Sequence, residues 1–163
     1  MVQETSGETG PQRNETEAEQ ADRNFNELLQ ELRVSQMGVQ ILFAFLLTLA
    51  FQERFTEVTD TQLTIYVVTL LLCAVATALL IAPVALHRAL FRKGRKRQVV
   101  EAASKLAKGG LLMLFLAICG AILFILDFLL SRTLALVLAA VVAVVFLALW
   151  YVVPFRAART TAR

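Results

Sequence analysis

The sequence has few of the residues that build catalytic and metal sites. It contains one histidine and two cysteines among 163 residues. Cys73 and Cys119 each lie near the middle of an apolar run, and this set matches no known metal-binding spacing. No serine or cysteine is placed beside a base, and no glycine-rich phosphate loop is present. We therefore expect no enzymatic activity, no cofactor and no metal.

Charged residues are also scarce. They make up 18% of the chain, whereas 58% of the residues are hydrophobic and the mean hydropathy is +0.66. A soluble domain has roughly 45 to 50% apolar residues. The apolar residues form four blocks, and each block has the length that a hydrocarbon core of roughly 30 Å requires. The composition therefore predicts an integral membrane protein.

The four blocks predict an all-α membrane protein, a four-helix transmembrane bundle within residues 25–156. The predicted spans are residues 34–51, 63–85, 109–130 and 133–153. The second block is the strongest because it has 23 residues without a charge. The first is the weakest, since its uninterrupted apolar run covers only residues 41–51. For this block a re-entrant or interfacial segment is the alternative.

The first 24 residues differ in composition from the rest. They contain neither leucine nor aromatic residues, and they carry six acidic residues against two arginines. Such a segment cannot bury enough apolar surface to offset the entropy that ordering costs. We predict that residues 1–24 form a disordered acidic cytoplasmic tail.

An amphipathic helix is predicted directly after this tail. Its apolar stripe consists of Phe25, Leu28, Leu29 and Leu32, with polar residues between them. Such a stripe is typical of a helix that lies at the membrane interface. The prediction is an N-terminal amphipathic interfacial helix on the inner leaflet, and the alternative is a docking face for a partner protein.

Half of the sixteen lysine and arginine residues lie between the second and third blocks. The positive-inside rule places this loop in the cytoplasm. Four crossings then leave both termini cytoplasmic, including a basic C-terminal tail at residues 157–163. We expect a multi-pass protein of a bacterial inner (plasma) membrane. Beside a bilayer, the basic cluster predicts contact with anionic lipid headgroups rather than nucleic acid. The candidate residues are Arg88, Arg92, Lys93, Arg95, Lys96 and Arg97.

Polar and small residues recur at intervals of four in the first span. We call this row the α1 polar row; it consists of Gln36, Gln40, Ala44, Thr48 and Gln52. A glutamine that faces hydrocarbon leaves its polar atoms without partners. The row is therefore predicted to face the other helices, either as a structural seam or as a path for water or a ligand.

Asp127 is the only acidic residue well within a predicted span. It lies near the outer end of its helix, where Arg54 or Arg132 is available to pair with it. A structural or interfacial role is the main prediction, and a proton relay is the alternative.

Rows of small residues in the later spans predict where helices touch. Lipid gives apolar side chains no reason to prefer a neighbouring helix, so close packing of small residues is a main source of association. The predicted seams contain Ala135, Ala139 and Ala143 in the fourth span, Ala117, Gly120 and Ala121 in the third, and Cys73, Ala74, Thr77 and Ala78 in the second.

Two stretches of the sequence resemble a known group of proteins. They are FNELLQELRVSQMGVQILFAFLLTLAFQERF, residues 25–55, and LIAPVALHRALFR, residues 80–92. Both resemble small four-pass integral membrane proteins, common in actinobacteria, that are grouped as an uncharacterised domain of unknown function. The resemblance covers roughly residues 25–130. It implies a four-pass fold and no particular activity.

These observations predict a non-enzymatic membrane protein that acts through partners or anionic lipids. The expected partners are the bilayer, a second copy of the chain or a larger membrane protein. The alternative is a small oligomeric ion or solute transporter or channel. A dry, packed α1 polar row would favour the first prediction, and a hydrated row continuous with Asp127 would favour the second.

Overall fold

Four apolar helices dominate the structure, a computed structural model that describes residues 17–90 and 96–152. They are α1 (Glu17–Leu49), α2 (Asp60–Leu90), α3 (Lys96–Leu129) and α4 (Arg132–Leu147). A 3₁₀ turn, Glu53–Glu57, lies between α1 and α2, and a π-helical turn, Ala148–Val152, continues α4. Each of the four helices has a stretch long and apolar enough to cross a membrane. The prediction of an all-α membrane protein with four spans is confirmed.

Helices α1, α2 and α3 are longer than the membrane requires. They contain 33, 31 and 34 residues, which correspond to about 50 Å of helix each. A hydrocarbon core is only roughly 30 Å thick. The bundle has two ends. At the α1–α2 end, α1 is connected to α2 and α3 is connected to α4. At the α2–α3 end, α2 ends and α1 and α3 begin. The excess length lies at the α2–α3 end, beyond the apolar spans.

The start of α1 differs from the prediction. The helix begins at Glu17, so the last eight residues of the predicted tail are helical. The remainder of that tail, the loop residues 91–95 and the predicted C-terminal tail lie outside the described residues. Helix α1 then continues without a break to Leu49. The re-entrant alternative for the first span is therefore not observed.

The predicted amphipathic segment is the first part of α1, and its apolar stripe contacts protein. Phe25 and Ala103 are buried together, with Leu86 and Val100 packed against them. Leu32 is also buried, in the main core. The stripe therefore faces α2 and α3, because these helices extend as far as α1 does and cover it.

Helices α2 and α3 form the closest pair in the bundle. At Gly120 a Cβ atom would overlap the hydroxyl of Thr69, and at Gly110 it would lie 2.7 Å from Leu80 Cδ2. Only glycine allows the two backbones to approach this closely at both positions. Such close packing is how membrane helices associate when hydrophobic burial offers no preference.

Several predicted seam residues lie at contacts between helices. Ala117 on α3 and Ala135 on α4 are fully buried, and Cys73 on α2 is buried in the core. Ala74 and Ala78 face outward instead. The difference arises because α2 presents the face of Cys73, Ala76 and Leu80 to its neighbours, and Ala74 and Ala78 lie on the other side of the helix.

Helix α4 lies at the edge of the bundle. Helix α1 contacts both α2 and α3, whereas α4 contacts mainly α3. Ala135 is the buried residue of α4, and the rings of Phe146 and Phe115 lie 6.3 Å apart across the α3–α4 contact. The bundle therefore has a three-helix core formed by α1, α2 and α3, with α4 attached to α3.

Candidate functional site

Gln36, Tyr66 and Gln62 each donate a side-chain hydrogen bond to a backbone carbonyl of another helix. A hydrogen bond between membrane helices contributes about 1 kcal/mol. The three bonds join α1 to α2 twice and α2 to α3 once. They are Gln36 Nε2 to Leu80 O at 2.7 Å, Tyr66 OH to Leu46 O at 3.0 Å, and Gln62 Nε2 to Asp127 O at 2.9 Å.

The bond from Gln36 lies beside an irregularity in α2. Pro83 is fully buried inside this helix and has no N–H to donate to the preceding turn. Leu80 lies in that turn, three residues before the proline. Polar side chains of neighbouring helices commonly satisfy the backbone groups that a proline disturbs in a membrane helix. Pro83 leaves the Leu79 carbonyl without its helical donor, and Gln36 bonds the next carbonyl, that of Leu80. This contact with α2 makes Gln36 part of the structural seam.

The bond from Gln62 connects the start of α2 to the end of α3. Thr59 N donates to Gln62 Oε1 at 3.0 Å, and Gln62 N donates to Thr59 Oγ1 at 3.4 Å. This reciprocal pair is a capping box, which satisfies free N–H groups at a helix N-terminus. The capping box fixes the position of the Gln62 side-chain amide. The Nε2 atom of this amide donates the hydrogen bond to the backbone carbonyl of Asp127.

The rest of the α1 polar row does not face the other helices of the chain. Gln40, Ala44, Thr48 and Gln52 are exposed. The inward face of α1 is formed instead by apolar residues, among which Val39 and Leu46 are 0% and 1% exposed. Beyond Gln36, the predicted seam within one chain is therefore not observed. Helix α1 is rotated so that its leucine and valine face packs against α2 and α3.

The polar side chains of this row differ in whether they have partners. Thr48 Oγ1 donates to Ala44 O at 3.0 Å, and Gln52 Nε2 donates weakly to Thr48 O at 3.5 Å. Gln36 is bonded to α2. Gln40 makes no hydrogen bond to any residue that the structure describes. Gln40 is thus the one polar member of the row whose side chain is left without a partner in the described chain.

Asp127 contributes its backbone rather than its carboxylate. Its carbonyl accepts the bond from Gln62. Among the described residues, no cation comes within 4.0 Å of its carboxylate. The predicted pairing with Arg54 or Arg132 is therefore not observed. Arg54 lies 3.7 Å from Glu57 and packs over the ring of Phe128, 5.2 Å from its centroid.

The interior between Gln36 and Asp127 is apolar. Its buried core includes Val39, Leu46, Cys73, Ala117 and Phe124. Every buried polar side-chain atom in the described chain has a hydrogen-bond partner. The α1 polar row and Asp127 are therefore not connected by polar side chains through the middle of a single bundle.

A small cavity of about 80 Å³ opens at the α1–α2 end. Aromatic rings pack beside it: Tyr66 lies 4.9 Å from Phe55 and 5.6 Å from Phe124 between ring centroids. Apart from Gln52 and Arg54 the lining is apolar, so the cavity suits a small apolar group and offers no general base. The lining residues are Leu49, Gln52, Arg54, Phe55, Val58, Phe124, Ile125 and Phe128.

The predicted lipid-contact residues are only partly described. Arg88 is exposed near the end of α2, as are Lys105 and Lys108 near the start of α3. Helix α3 begins at Lys96 and Arg97. Arg92, Lys93 and Arg95 lie outside the described residues. Arg88, Lys105 and Lys108 therefore lie at the α2–α3 end, and they flank the loop that contains Arg92, Lys93 and Arg95.

Metal-ligating side chains do not come together in residues 17–90 and 96–152. No group of three histidine, cysteine, aspartate or glutamate residues in these ranges could hold a metal ion.

A known family matches the sequence over most of its length. A model of a family of unknown function, DUF6328, matches residues 14–154. The chain belongs to the DUF6328 family. The matched region contains all four helices described above, and the expected membership of an uncharacterised family is confirmed. No curated protein and no solved structure matches the chain.

Two structural features of this DUF6328 chain were not predicted from its sequence. The capping box at Thr59 and Gln62 has a recognisable signature, a threonine followed three residues later by glutamine before an apolar run, and could have been found. The bond from Tyr66 has no such signature, because its acceptor is a backbone carbonyl, which every residue carries.

Proposed function

We propose that this protein is a non-enzymatic, multi-pass membrane protein that acts through anionic lipids or protein partners at its α2–α3 end. The observation that carries the proposal is the extension of α1, α2 and α3 beyond the length of the hydrocarbon core. The three helices remain packed there, with Phe25 and Ala103 buried between them. The extension therefore presents a folded surface just outside the bilayer.

The charge of this end supports the proposal. Arg88, Lys105 and Lys108 are exposed there, beside a loop that is rich in arginine and lysine. Each cation close to an anionic membrane surface contributes about 1 kcal/mol of attraction. The same distribution favours an inner (plasma) membrane location with both termini in the cytoplasm.

Lipid binding at this end is tested by energy transfer from the single tryptophan. Trp150 lies at the end of α4, on the side of the bundle that carries the basic cluster. In reconstituted vesicles, we expect stronger transfer to dansyl-labelled phosphatidylglycerol than to dansyl-labelled phosphatidylcholine. Replacing Arg92, Lys93, Arg95, Lys96 and Arg97 together with glutamine should reduce the preference for the anionic lipid at least ~10-fold.

The matched control removes cations from the opposite end. Arg54→Gln combined with Arg132→Gln should leave the preference unchanged. Equal transfer to both lipids in the unaltered protein would contradict the lipid part of the proposal. A protein partner is identified by affinity purification from native membranes, in which the glutamine variant should no longer retain it.

A second candidate, a small oligomeric ion or solute transporter, is favoured by one observation. The polar side chains of Gln40, Thr48 and Gln52 face outward, so they could line a space between copies of the chain. The apolar interior of a single bundle argues against a path within one copy.

Proton flux into proteoliposomes distinguishes the two candidates. We expect the flux to equal that of protein-free liposomes, and Asp127→Asn to leave it unchanged. The variant should also keep its stability within about 0.5 kcal/mol, because Gln62 bonds the backbone carbonyl of Asp127, which asparagine retains. Flux above the protein-free level that Asp127→Asn abolishes would instead establish the transporter.

A further inference from the structure

Gln40 is a polar side chain on the outer surface of an apolar helix. It is exposed and makes no hydrogen bond to any described residue. Its outward neighbours are strongly apolar, for Ile41 is 72% and Phe45 57% exposed. This surface of α1 therefore consists of side chains suited to lipid, interrupted by one primary amide.

The depth of Gln40 follows from the two hydrogen bonds between α1 and α2. Gln36 is level with Leu80, and Leu46 is level with Tyr66. Gln40 lies between these levels, opposite the part of α2 near Ala74. Ala74 is the central residue of the uncharged segment 63–85. Gln40 therefore lies within the hydrocarbon core, about 10 Å along α1 from Arg33, the nearest charged residue of that helix.

A glutamine at this depth cannot reach water. Its amide offers two donor hydrogens and a carbonyl acceptor, and in hydrocarbon each unmade bond costs free energy. The side chain packs against no other helix of its own chain that could supply these bonds. An interacting molecule that covers Gln40 must therefore present both a donor and an acceptor at the same depth in the hydrocarbon core.

We propose that this face of α1 is a homodimer interface, in which Gln40 pairs with Gln40 of a second copy. Copies inserted in the same orientation are related by a two-fold axis along the membrane normal, which brings identical residues together at one depth. The two amides can then exchange reciprocal hydrogen bonds. In a second copy, symmetry places the same amide, with its donor and its acceptor, at the same depth. Any other protein would have to carry a donor and an acceptor at that depth independently.

The residues next to Gln40 allow two helices to approach closely. Ala44 lies one turn further along the same face and is exposed, and Thr48 follows one turn later with its hydroxyl already bonded to Ala44 O. Small residues spaced by four support close helix crossing in membranes. Gly38, also on the exposed surface, has open space around its Cα. The interface does not depend on the function proposed above.

Dimerisation is measured by energy transfer between two labelled populations of the full chain, reconstituted at increasing protein-to-lipid ratios. We expect the unaltered protein to dimerise and Gln40→Leu to raise the dissociation constant about tenfold, as expected for loss of two interhelical hydrogen bonds. Gln40→Asn, which retains an amide, should stay within about threefold of the unaltered protein. All these changes are on the exposed surface and leave the packing within one chain intact.

A matched pair of alanines tests where the contact lies. Ala44→Ile should weaken dimerisation at least ~10-fold because it separates the two backbones, whereas Ala140→Ile, at an exposed position of α4, should have no effect. On oxidation, Ala44→Cys should form a disulfide across the axis, and Ala140→Cys should not. A monomeric unaltered protein at every ratio, or equal dissociation constants for Gln40→Leu and the unaltered protein, would overturn the proposal.

Discussion

Gly120→Ala should lower the free energy of unfolding by about 2 kcal/mol, within the range for overpacked cores. The added Cβ would overlap the hydroxyl of Thr69 on α2. Thr69 is 1% exposed, and its Oγ1 donates to Ile65 O at 2.7 Å. Thr69 can therefore yield only if it breaks this bond or if the closest pair of helices separates. Reversible unfolding in mixed micelles measures the loss.

Two control variants separate this clash from a general effect of losing a glycine. Gly38→Ala on α1 should be neutral or slightly stabilising, because a Cβ there meets no atom within 4 Å and alanine favours helix more than glycine does. In a Thr69→Ala background, Gly120→Ala should cost less than half as much, since the two positions are in contact. Equal costs for Gly120→Ala in both backgrounds would show that the two helices are not this close at Gly120.

Tyr66→Ala is the second change for which we expect a large effect, a loss of about 3 kcal/mol in the free energy of unfolding. The ring of Tyr66 lies between Phe55 and Phe124, and its hydroxyl donates to Leu46 O at 3.0 Å. Lipid is as apolar as the core, so most of the loss arises from the cavity and the missing bond. The same unfolding measurement in micelles applies.

Tyr66→Phe isolates the hydrogen bond from the packing of the ring. It should cost about 1 kcal/mol, because the aromatic contacts remain and only the bond to α1 is lost. Phe51→Ala is the matched control: Phe51 is 85% exposed, so its removal should change stability by less than about 0.5 kcal/mol. A cost for Tyr66→Ala no greater than that for Tyr66→Phe would mean that the ring contributes nothing.

The number and positions of the spans were predictable because they depend on local properties. An uninterrupted apolar stretch such as residues 63–85 must form a helix in hydrocarbon, where every backbone group needs an internal partner. The burial of Ala117 and Ala135 followed from similar reasoning, since small residues mark places where membrane helices approach. These inferences need no knowledge of which helix is the neighbour.

The rotation of α1 was not predictable in this way. The expectation that Gln36, Gln40 and Thr48 all face inward assumed that one chain must satisfy all its polar groups. In the structure only Gln36 meets a neighbouring helix, and Val39 and Leu46 form the inward face. One interaction that orients α1 is the hydrogen bond from the Tyr66 hydroxyl to a backbone carbonyl. Every residue carries such a carbonyl, so the sequence does not indicate which one accepts the bond.

The full length of the helices was also underestimated. Hydropathy identifies only the part of a helix that lies in lipid, so the polar continuation of α1 back to Glu17 was assigned to a tail. The contact of Phe25 with Ala103 joins residues far apart in the chain. Such a contact becomes apparent only when α2 and α3 are known to extend equally far.

The position of α4 at the edge of the bundle has a consequence for biosynthesis. Chains are made and inserted from the N-terminus, and α1 contacts only α2 and α3 extensively. The hydrogen bonds from Gln36, Gln62 and Tyr66 to neighbouring helices can therefore form once Leu129 has left the ribosome. Helix α4, which a short connection joins to α3, then packs last against an assembled core. The other three helices do not need α4 in order to pack against one another.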